Sequence, residues 1–596
     1  MLELKSKKIK TGFKNMKVLL IAINSKYIHS SLACWYLWAS CRDYFESVQV
    51  AEFSINDNID DILGNIYFKK CDVAAFPCYI WNIGHVLKIA SNLKKIAPGI
   101  KIVLGGPEVS YEPESILNEY NYIDYVVSGE GEIRFRQLLQ YLKDQSVKTE
   151  DIDGITYRKD GRIVSREGTG LIEDLDKIPT PYTKEMLDEV KDKIIYYESS
   201  RGCPFSCSYC MSSTFKGIRY FSIDRVKMEL KILMDAGVKL VKFVDRTFNC
   251  NKKRAMEIFE FVIENSVDTC FHFEAAGDLF DDDMINLLSK APEGIIQFEI
   301  GIQSVNQRTL KEVNRKTDIK KVFYYTKKLL DLKNIHIHLD LIAGLPYEDY
   351  ESFKNSFNEV YSLRPHNLQL GFLKMLKGSG IRENDKKHNY LYRDYPPYEV
   401  LGNNVLTFEE LLKLKKIEKM VERYYNSGRF CKSLDYIIEN FFNSAFEFYE
   451  KLSFFHEKEG LFRRSVSSRE LYTVLLKFID GLNIGINRDL ICDLLKYDFI
   501  VSHRTGNFPE GIEKKQVSKH KERIFEFLDN DENIKKYLPE YLNVPAKKII
   551  RDVHFEPFNF DVSGNFELKE SPVIILVNYN KRNRVTELFE AKKVIL

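Results

Sequence analysis

Apolar residues in the first 130 positions fall in short, nearly unbroken runs: Lys17–Ile23, Val48–Phe53, Asp72–Phe76, Lys101–Gly105 and Tyr122–Val127. Runs of this length bounded by polar or turn residues predict strands buried on both faces. Helical patterns lie between them, as over Gly84–Ile96, where Pro98-Gly99 supplies a stop. Strand–helix alternation of this kind predicts an α/β, doubly wound, Rossmann-like parallel sheet over residues 1–150. Ligands on such a sheet sit beyond the carboxyl ends of its strands. Those ends are Asn24–His29, Pro77–Trp81, Gly105–Glu108 and Ser128–Glu132.

Residues 151–193 are polar and short-stranded, which predicts a linker with a small hairpin. Alternation resumes at Ile194, with apolar runs at 194–197, 240–244, 269–274, 295–301, 336–343 and 367–372. Six strands suit a partial (β/α)6 TIM-type barrel over 194–380, with functional groups at the carboxyl strand ends. From Thr407 to about Lys536 periods near 3.6 dominate, and a short strand-like stretch follows at Pro572–Tyr579. Residues 381–596 therefore read as a mostly helical C-terminal domain.

Composition narrows the functional classes. Lys plus Arg number 88 against 86 Asp plus Glu, so the net charge of +2 makes no electrostatic case for nucleic acid. No run reaches the roughly 20 apolar residues of a membrane helix. The first residues carry charge but no signal-peptide core follows them. Eleven cysteines, an odd number, clustered rather than paired, fit a reducing cytoplasm.

The cluster is Cys203, Cys207 and Cys210, spaced C-x3-C-x2-C directly after the apolar run Ile194–Tyr197. Three thiolates on one loop can hold three irons of a 4Fe–4S cluster and leave the fourth open to a small chelator. A structural zinc loop needs a second Cys/His pair at similar spacing, and Cys250 and Cys270 do not form one. With Tyr209 before the last cysteine, the motif resembles the signature of the radical S-adenosylmethionine (SAM) superfamily. The resemblance implies that SAM chelates the open iron and is cleaved reductively to a 5′-deoxyadenosyl radical that abstracts hydrogen from substrate. It implies an electron donor such as flavodoxin or ferredoxin, and an anaerobic or microaerobic cell.

Gly105-Gly-Pro and Gly129-Glu-Gly-Glu resemble the cobalamin-binding domain that precedes many radical SAM domains. The D-x-H-x-x-G loop that gives cobalt a histidine in some cobalamin proteins is absent, since neither His29 nor His85 has that context. Cobalamin then binds without a protein histidine, or the domain is a retained scaffold. Phe298–Ser304 and Asp340–Pro346 are similar to recurrent radical SAM segments. By that resemblance Glu274 and Gln303 contact SAM hydroxyl or amino groups, Arg315 takes its carboxylate, and Tyr209 packs beside the cluster. Asp245, Asp340, Glu198 and His272 are the candidates for substrate binding or proton transfer; salt bridges to Arg246 or Arg201 are the structural alternative. His336 and His338 alternate on one strand face without a third ligand.

Gly371–Gly380, Pro396–Leu401 and Tyr424–Ser427 resemble an accessory domain found after some cobalamin-type radical SAM domains. The expectation is an enzyme that acts on a small organic substrate. Queuine lyase, which converts queuine to 7-aminomethyl-7-deazaguanine, is the characterised activity the architecture suggests. The alternatives are a cobalamin-dependent radical SAM methyltransferase and a non-catalytic iron–sulfur redox protein.

Overall fold

A computed structural model describes residues 16–596 apart from 167, 169–170, 215–216, 483–484, 505, 514–520, 563 and 565–569. The chain forms two units, one of Met1–Lys290, Leu310–Thr317 and Phe372–Asn404, the other of Ala291–Thr309, Asp318–Gly371 and Val405–Leu596.

In the first unit, β1 (Lys17–Asn24), β2 (Ser47–Ser54), β3 (Val73–Pro77), β4 (Lys101–Gly105) and β5 (Tyr125–Val127) pair in parallel in the order β2-β1-β3-β4-β5. Val18 to Ile23 and every residue of β3 are buried, as expected of strands covered on both faces. Helices Ile59–Phe68 and Ile83–Ile96 bring Ile62, Ile66, Val86, Ile89 and Leu93 onto Leu19, Ile21 and Ile23. Helix Leu32–Cys41 is apolar almost all round because most of its side chains are buried. Strand order reverses between β1 and β3, the point where a doubly wound sheet takes its ligand. The hairpin expected in the linker is β6 (Ile155–Lys159) and β7 (Arg162–Ser165). It joins this same sheet, with β6 antiparallel to β5 and β7 at the edge.

The chain continues through β8 (Ile195–Tyr197), the antiparallel hairpin β9 (Ser200–Cys203) and β10 (Gly217–Tyr220), β11 (Leu240–Phe243) and β12 (Cys270–Ala275). Strand β11 lies between β8 and β12, parallel to both. The second unit holds β13 (Ile296–Gln303) parallel to β14 (Ile335–Ala343), with β15 (Asn367–Phe372) beside β14. Both β13 and β14 bury alternate residues, which leaves Glu299, Gln303 and Asp340 on the less buried face. All six strands read from the sequence are thus present, three in each unit.

A two-stranded ribbon, β16 (Leu391–Tyr392) and β17 (Val400–Gly402), precedes the helical region. Thr407 and Glu410 form a reciprocal capping box that starts helix Phe408–Met420. The helices are followed by an antiparallel sheet of β18 (Val553–Phe560), β19 (Glu570–Arg582) and β20 (Phe589–Val594), more strand than the short ending the sequence suggests. No helix among the described residues is long and apolar enough to cross a membrane.

Candidate active site

The whole three-cysteine loop lies in the first unit. Strand β8 delivers the chain to Glu198, and β9 ends at Cys203. Gly202 has φ +105°, and a Cβ there would lie 2.1 Å from the Gly217 carbonyl oxygen across the hairpin. Glycine is what lets the two strands close. The loop is then pinned from outside: Ser208 N–H donates to the Val313 carbonyl at 2.9 Å, and Ile381 N–H donates to that of Ser208 at 2.9 Å. Asn314 Nδ2 donates to the Ser206 carbonyl at 3.0 Å.

Cys207 is buried, Cys203 and Cys210 are half-buried, and none of the three is in a disulfide. Arg315 Nη1 stands 3.9 Å from Cys207 Sγ and donates to Tyr209 Oη at 3.2 Å. Burial raises the Cys207 thiol pKa, and the Arg315 guanidinium pulls the other way. Cys203 Sγ is 3.5 Å from Thr247 Oγ1. Among the described residues no group of three His, Cys, Asp or Glu is gathered closely enough for a single metal ion. A cubane takes one thiolate per iron, so its ligands surround a cluster rather than a point. Three cysteines on one loop, with a guanidinium beside one of them, fit that group.

A cavity of about 770 Å³ opens over the carboxyl ends of β1, β3, β4 and β5, within the range of small-molecule sites. Asn24, Tyr79, Gly105 and Glu130 line it from the sheet, and Glu198 and Arg201 from the cysteine loop. The crevice between β1 and β3 is closed, because Asn82 Nδ2 donates to the Ile23 and Pro77 carbonyls at 3.2 and 2.9 Å. A ligand therefore meets the strand ends from above. Gly106, at φ +95°, is required by close packing, since a Cβ there would lie 2.8 Å from the Cys78 carbonyl oxygen. Tyr79 stacks on Trp81 with centroids 4.3 Å apart, and the indole remains 44% exposed. Stacked aromatics, an imidazole from His29 and an exposed guanidinium from Arg246 on the wall fit a large, flat, polar-edged ligand such as a corrin.

The loop after β1 is stapled by one carboxylate. Glu52 accepts from Ser31 N–H at 3.0 Å, Trp35 Nε1 at 2.9 Å, Asn24 Nδ2 at 3.2 Å and Lys193 Nζ at 2.6 Å. His29 Nδ1 lies 2.8 Å from Tyr196 Oη of β8. Burial, with Lys26 and Lys242 adding to it, keeps the imidazole pKa below its ordinary value.

A second network joins the Gly129-Glu-Gly-Glu loop to the cysteine hairpin. Arg201 donates to Glu132 at 2.5 Å and to Glu198 at 3.0 Å, and lies 3.6 Å from Glu130. Arg219 of β10 donates to both oxygens of Glu130, at 3.0 and 2.5 Å. Burial pushes the Glu198 carboxyl up to about 7 against the pull of Arg201, with Glu132 and Asp245 adding to the rise.

The other residues singled out by sequence are more dispersed. Asp245 is enclosed, accepting from Ser199 N–H at 2.9 Å, Ser199 Oγ at 2.7 Å and Ser200 Oγ at 2.5 Å. It holds the start of β9 rather than facing the cavity. His272 is buried and Glu274 half-buried on β12. Gln303 and Asp340 lie in the second unit. Gln303 adopts φ +73° at the end of β13, and its Oε1 is buried with no hydrogen-bond partner among the described residues. His336, His338 and His366 cluster, but His336 Nδ1 is 2.8 Å from the Val585 carbonyl and His366 Nδ1 accepts from Ile337 N–H. Sequence reasoning missed the partnership of His29 with Tyr196 and that of Glu130 and Glu132 with Arg201 and Arg219. The Glu-x-Glu spacing after β5 was the available signal.

Residues 18–139 match the B12 binding domain, 197–360 the Radical SAM superfamily, and 386–577 a protein family of unknown function, DUF4080. The uncharacterized methyltransferase PH0819 of Pyrococcus horikoshii is 33% identical over 238 residues, 39% of this chain and 50% of that protein. The cobalamin-dependent radical SAM methyltransferase TokK of Streptomyces tokunonensis is 25% identical over 344 residues, 54% of this chain and 50% of TokK. The chain thus spans about half the length of these relatives. In fold it resembles the cobalamin-dependent S-adenosylmethionine radical enzyme OxsB, with TM-score 0.55 at 14% identity over 81% of this chain and 79% of OxsB. Residues 18–139 thus carry a B12-binding domain and residues 197–360 a radical SAM domain, and the cofactors that go with those domains are a 4Fe–4S cluster, SAM and cobalamin.

Proposed function

We propose that the protein is a cobalamin-dependent radical SAM methyltransferase acting on a small organic substrate. The observation that carries this reading is the shared cavity. One wall is the ligand edge of the B12-binding sheet, and the other is the chain that runs from Glu198 into the cysteine hairpin. The methyltransferase names of PH0819 and TokK support the same choice. The queuine lyase reading, drawn from architecture, gains no support from these relatives.

When bound, the cluster and SAM supply radical chemistry and cobalamin supplies a methyl carrier. The chain's own groups bind and orient. Cys203, Cys207 and Cys210 would hold the cluster, with Tyr209 beside them. Arg315, already next to Cys207, offers a planar fork to the SAM carboxylate. Glu274 would contact the rest of SAM; in the second unit, the orphaned amide oxygen and left-handed backbone of Gln303 mark a group held ready for a ligand. Glu198, whose carboxyl titrates near neutrality at the cavity wall, accepts or returns a substrate proton. Asp245 positions Ser199 and Ser200 rather than touching substrate. His272, on β12, is left with substrate orientation.

The test is anaerobic reconstitution with iron, sulfide and hydroxocobalamin, then incubation with a low-potential reductant and SAM carrying a deuterated methyl group. Mass spectrometry reads methylcobalamin, S-adenosylhomocysteine and 5′-deoxyadenosine, with Cys207→Ala as control. Label appearing on cobalamin supports methyl transfer. Deoxyadenosine without labelled cobalamin, accompanied by loss of added queuine, would replace this reading with fragmentation of queuine.

A further inference from the structure

We propose that Arg246 is a substrate-binding residue, the anchor for a carboxylate carried by the organic substrate that enters the cavity. The inference rests on the reading of that cavity as the chamber where substrate meets the two cofactors, and it adds the substrate's chemical class.

Arg246 follows β11 on a turn whose backbone is fixed on both sides. Val244 N–H donates to the Tyr197 carbonyl at 2.8 Å. Asp245 is buried and spends its oxygens on Ser199 and Ser200. Thr247 Oγ1 donates to the Arg246 carbonyl at 2.7 Å, and Asn249 exchanges two hydrogen bonds with the Ala276 backbone, both at 2.9 Å. Between these buried neighbours the Arg246 side chain is exposed and lines the cavity. A guanidinium whose backbone is held this firmly presents its fork from a defined place, which recognition of a planar group requires.

The charges on the cavity wall single it out. Arg201 and Arg219 are taken up by Glu130, Glu132 and Glu198. Arg246 has no hydrogen-bond or ion-pair partner for its guanidinium among the described residues, and Asp245 beside it does not supply one. Its charge reaches the stacked pair of Tyr79 and Trp81, since burial raises the Tyr79 phenol pKa and Arg246 works against that rise. In a half-enclosed cavity such a cation draws an anion more strongly than in bulk water, because the effective dielectric is lower. One uncommitted guanidinium balances one charge and matches a carboxylate with two parallel hydrogen bonds. A phosphate dianion would call on the arginines already engaged. Cys203 Sγ lies 3.5 Å from Thr247 Oγ1, so the anchor is one residue from the contact with the cysteine loop. A substrate tethered there is held on the cluster side of the cavity.

The experiment follows the reaction of phenylglyoxal with arginine side chains in the full-length protein carrying its cluster, kept anaerobic and mapped by peptide mass spectrometry. Arg162, exposed on the edge strand β7, is the internal control. Benzoate is the probe and benzamide its uncharged counterpart. Benzoate should slow modification of Arg246 about tenfold at roughly ten times its half-protection concentration, as mass action requires. Arg162 should react at the same rate throughout, and benzamide should protect neither residue. Benzoate should also raise the melting midpoint of wild type and leave that of Arg246→Gln, with iron content unchanged, where it was. No protection by benzoate, equal protection by benzamide, or equal protection of Arg162 overturns the proposal. So does stronger protection by phenyl phosphate, or complete protection by SAM or hydroxocobalamin added alone, which would make Arg246 a cofactor contact. None of these readouts needs turnover, so the carboxylate site can fail while labelled methyl transfer succeeds, and the reverse.

Discussion

Glu198→Gln isolates the most consequential titration in the site. Burial pushes the Glu198 carboxyl from 4.5 up to about 7. Because the folded-state value lies above the unfolded one, the unfolded chain gives up this proton first. The group's contribution to stability is therefore fully present below about pH 4.5, declines through the interval up to 7, and is gone above it. At about 1.4 kcal/mol per unit, wild type loses on the order of 3 kcal/mol across that window. Gln still accepts from Arg201 Nε, and Arg201 keeps Glu130 and Glu132. The variant should thus match or exceed wild type above about pH 7 and fall behind it below about pH 5. Anaerobic urea unfolding of both proteins, read at matched pH, gives the difference directly. Parallel midpoint-against-pH curves would refute the reasoning. If Glu198 also carries a substrate proton, Gln removes the limb of the rate profile near pH 7 while SAM affinity stays unchanged.

Gly202→Ala should cost at least about 3 kcal/mol and reduce bound iron to background, because its Cβ would collide with the Gly217 backbone. Gly217→Ala, which meets nothing within 4 Å, should cost only about 1–2 kcal/mol and keep its cluster; thermal melts and iron analysis separate the two. Asp245→Asn replaces an acceptor of three hydrogen bonds by a group that also donates, and should cost about 2–3 kcal/mol. Cluster retention should fall with the melting midpoint, whereas normal stability with lost product would return Asp245 to a catalytic role. Arg315→Lys removes the fork but keeps the charge, and should weaken SAM binding roughly tenfold or more without loss of iron, measured by SAM titration of the reconstituted cluster.

Strands β1, β3, β13 and β14 were legible because burial leaves a direct trace in sequence, as a continuous apolar run in the first pair and as period two in the second. The cysteine loop was legible because a ligand set must be close in sequence to sit on one turn. Strands β6 and β7 are partly polar and β7 is the edge strand, so the hairpin was legible but its place in the sheet was not; β9 carries Gly202 and Cys203 instead of an apolar run, so its hairpin with β10 could not be read. Partners distant in sequence were illegible for a different reason. Arg201 and Glu132 are 69 residues apart, Arg219 and Glu130 are 89, and His29 and Tyr196 are 167. Apart from the Glu-x-Glu spacing after β5, nothing in local composition distinguishes these residues from the many other charged and aromatic ones. Asp245 shows the converse: its residue type suggested acid–base chemistry, and only its three serine contacts reveal a structural post.

The Arg201 network is better understood as a device for geometry than for stability. A buried ion pair is often no more stable than apolar side chains of the same volume, because desolvation offsets the attraction. Here the offset is visible in the upward shift of Glu198 despite its contact with Arg201. What apolar packing could not supply is direction. Arg201 sits two residues before Cys203 and is engaged by carboxylates from two chain segments, while Arg219 fixes Glu130 from the opposite strand of the hairpin. The loop at the end of β5 and the strand that ends in the first cysteine are thereby held in one orientation. On the proposed function two cofactor sites cooperate on one substrate, and they would need that constraint more than the energy an apolar interface would add.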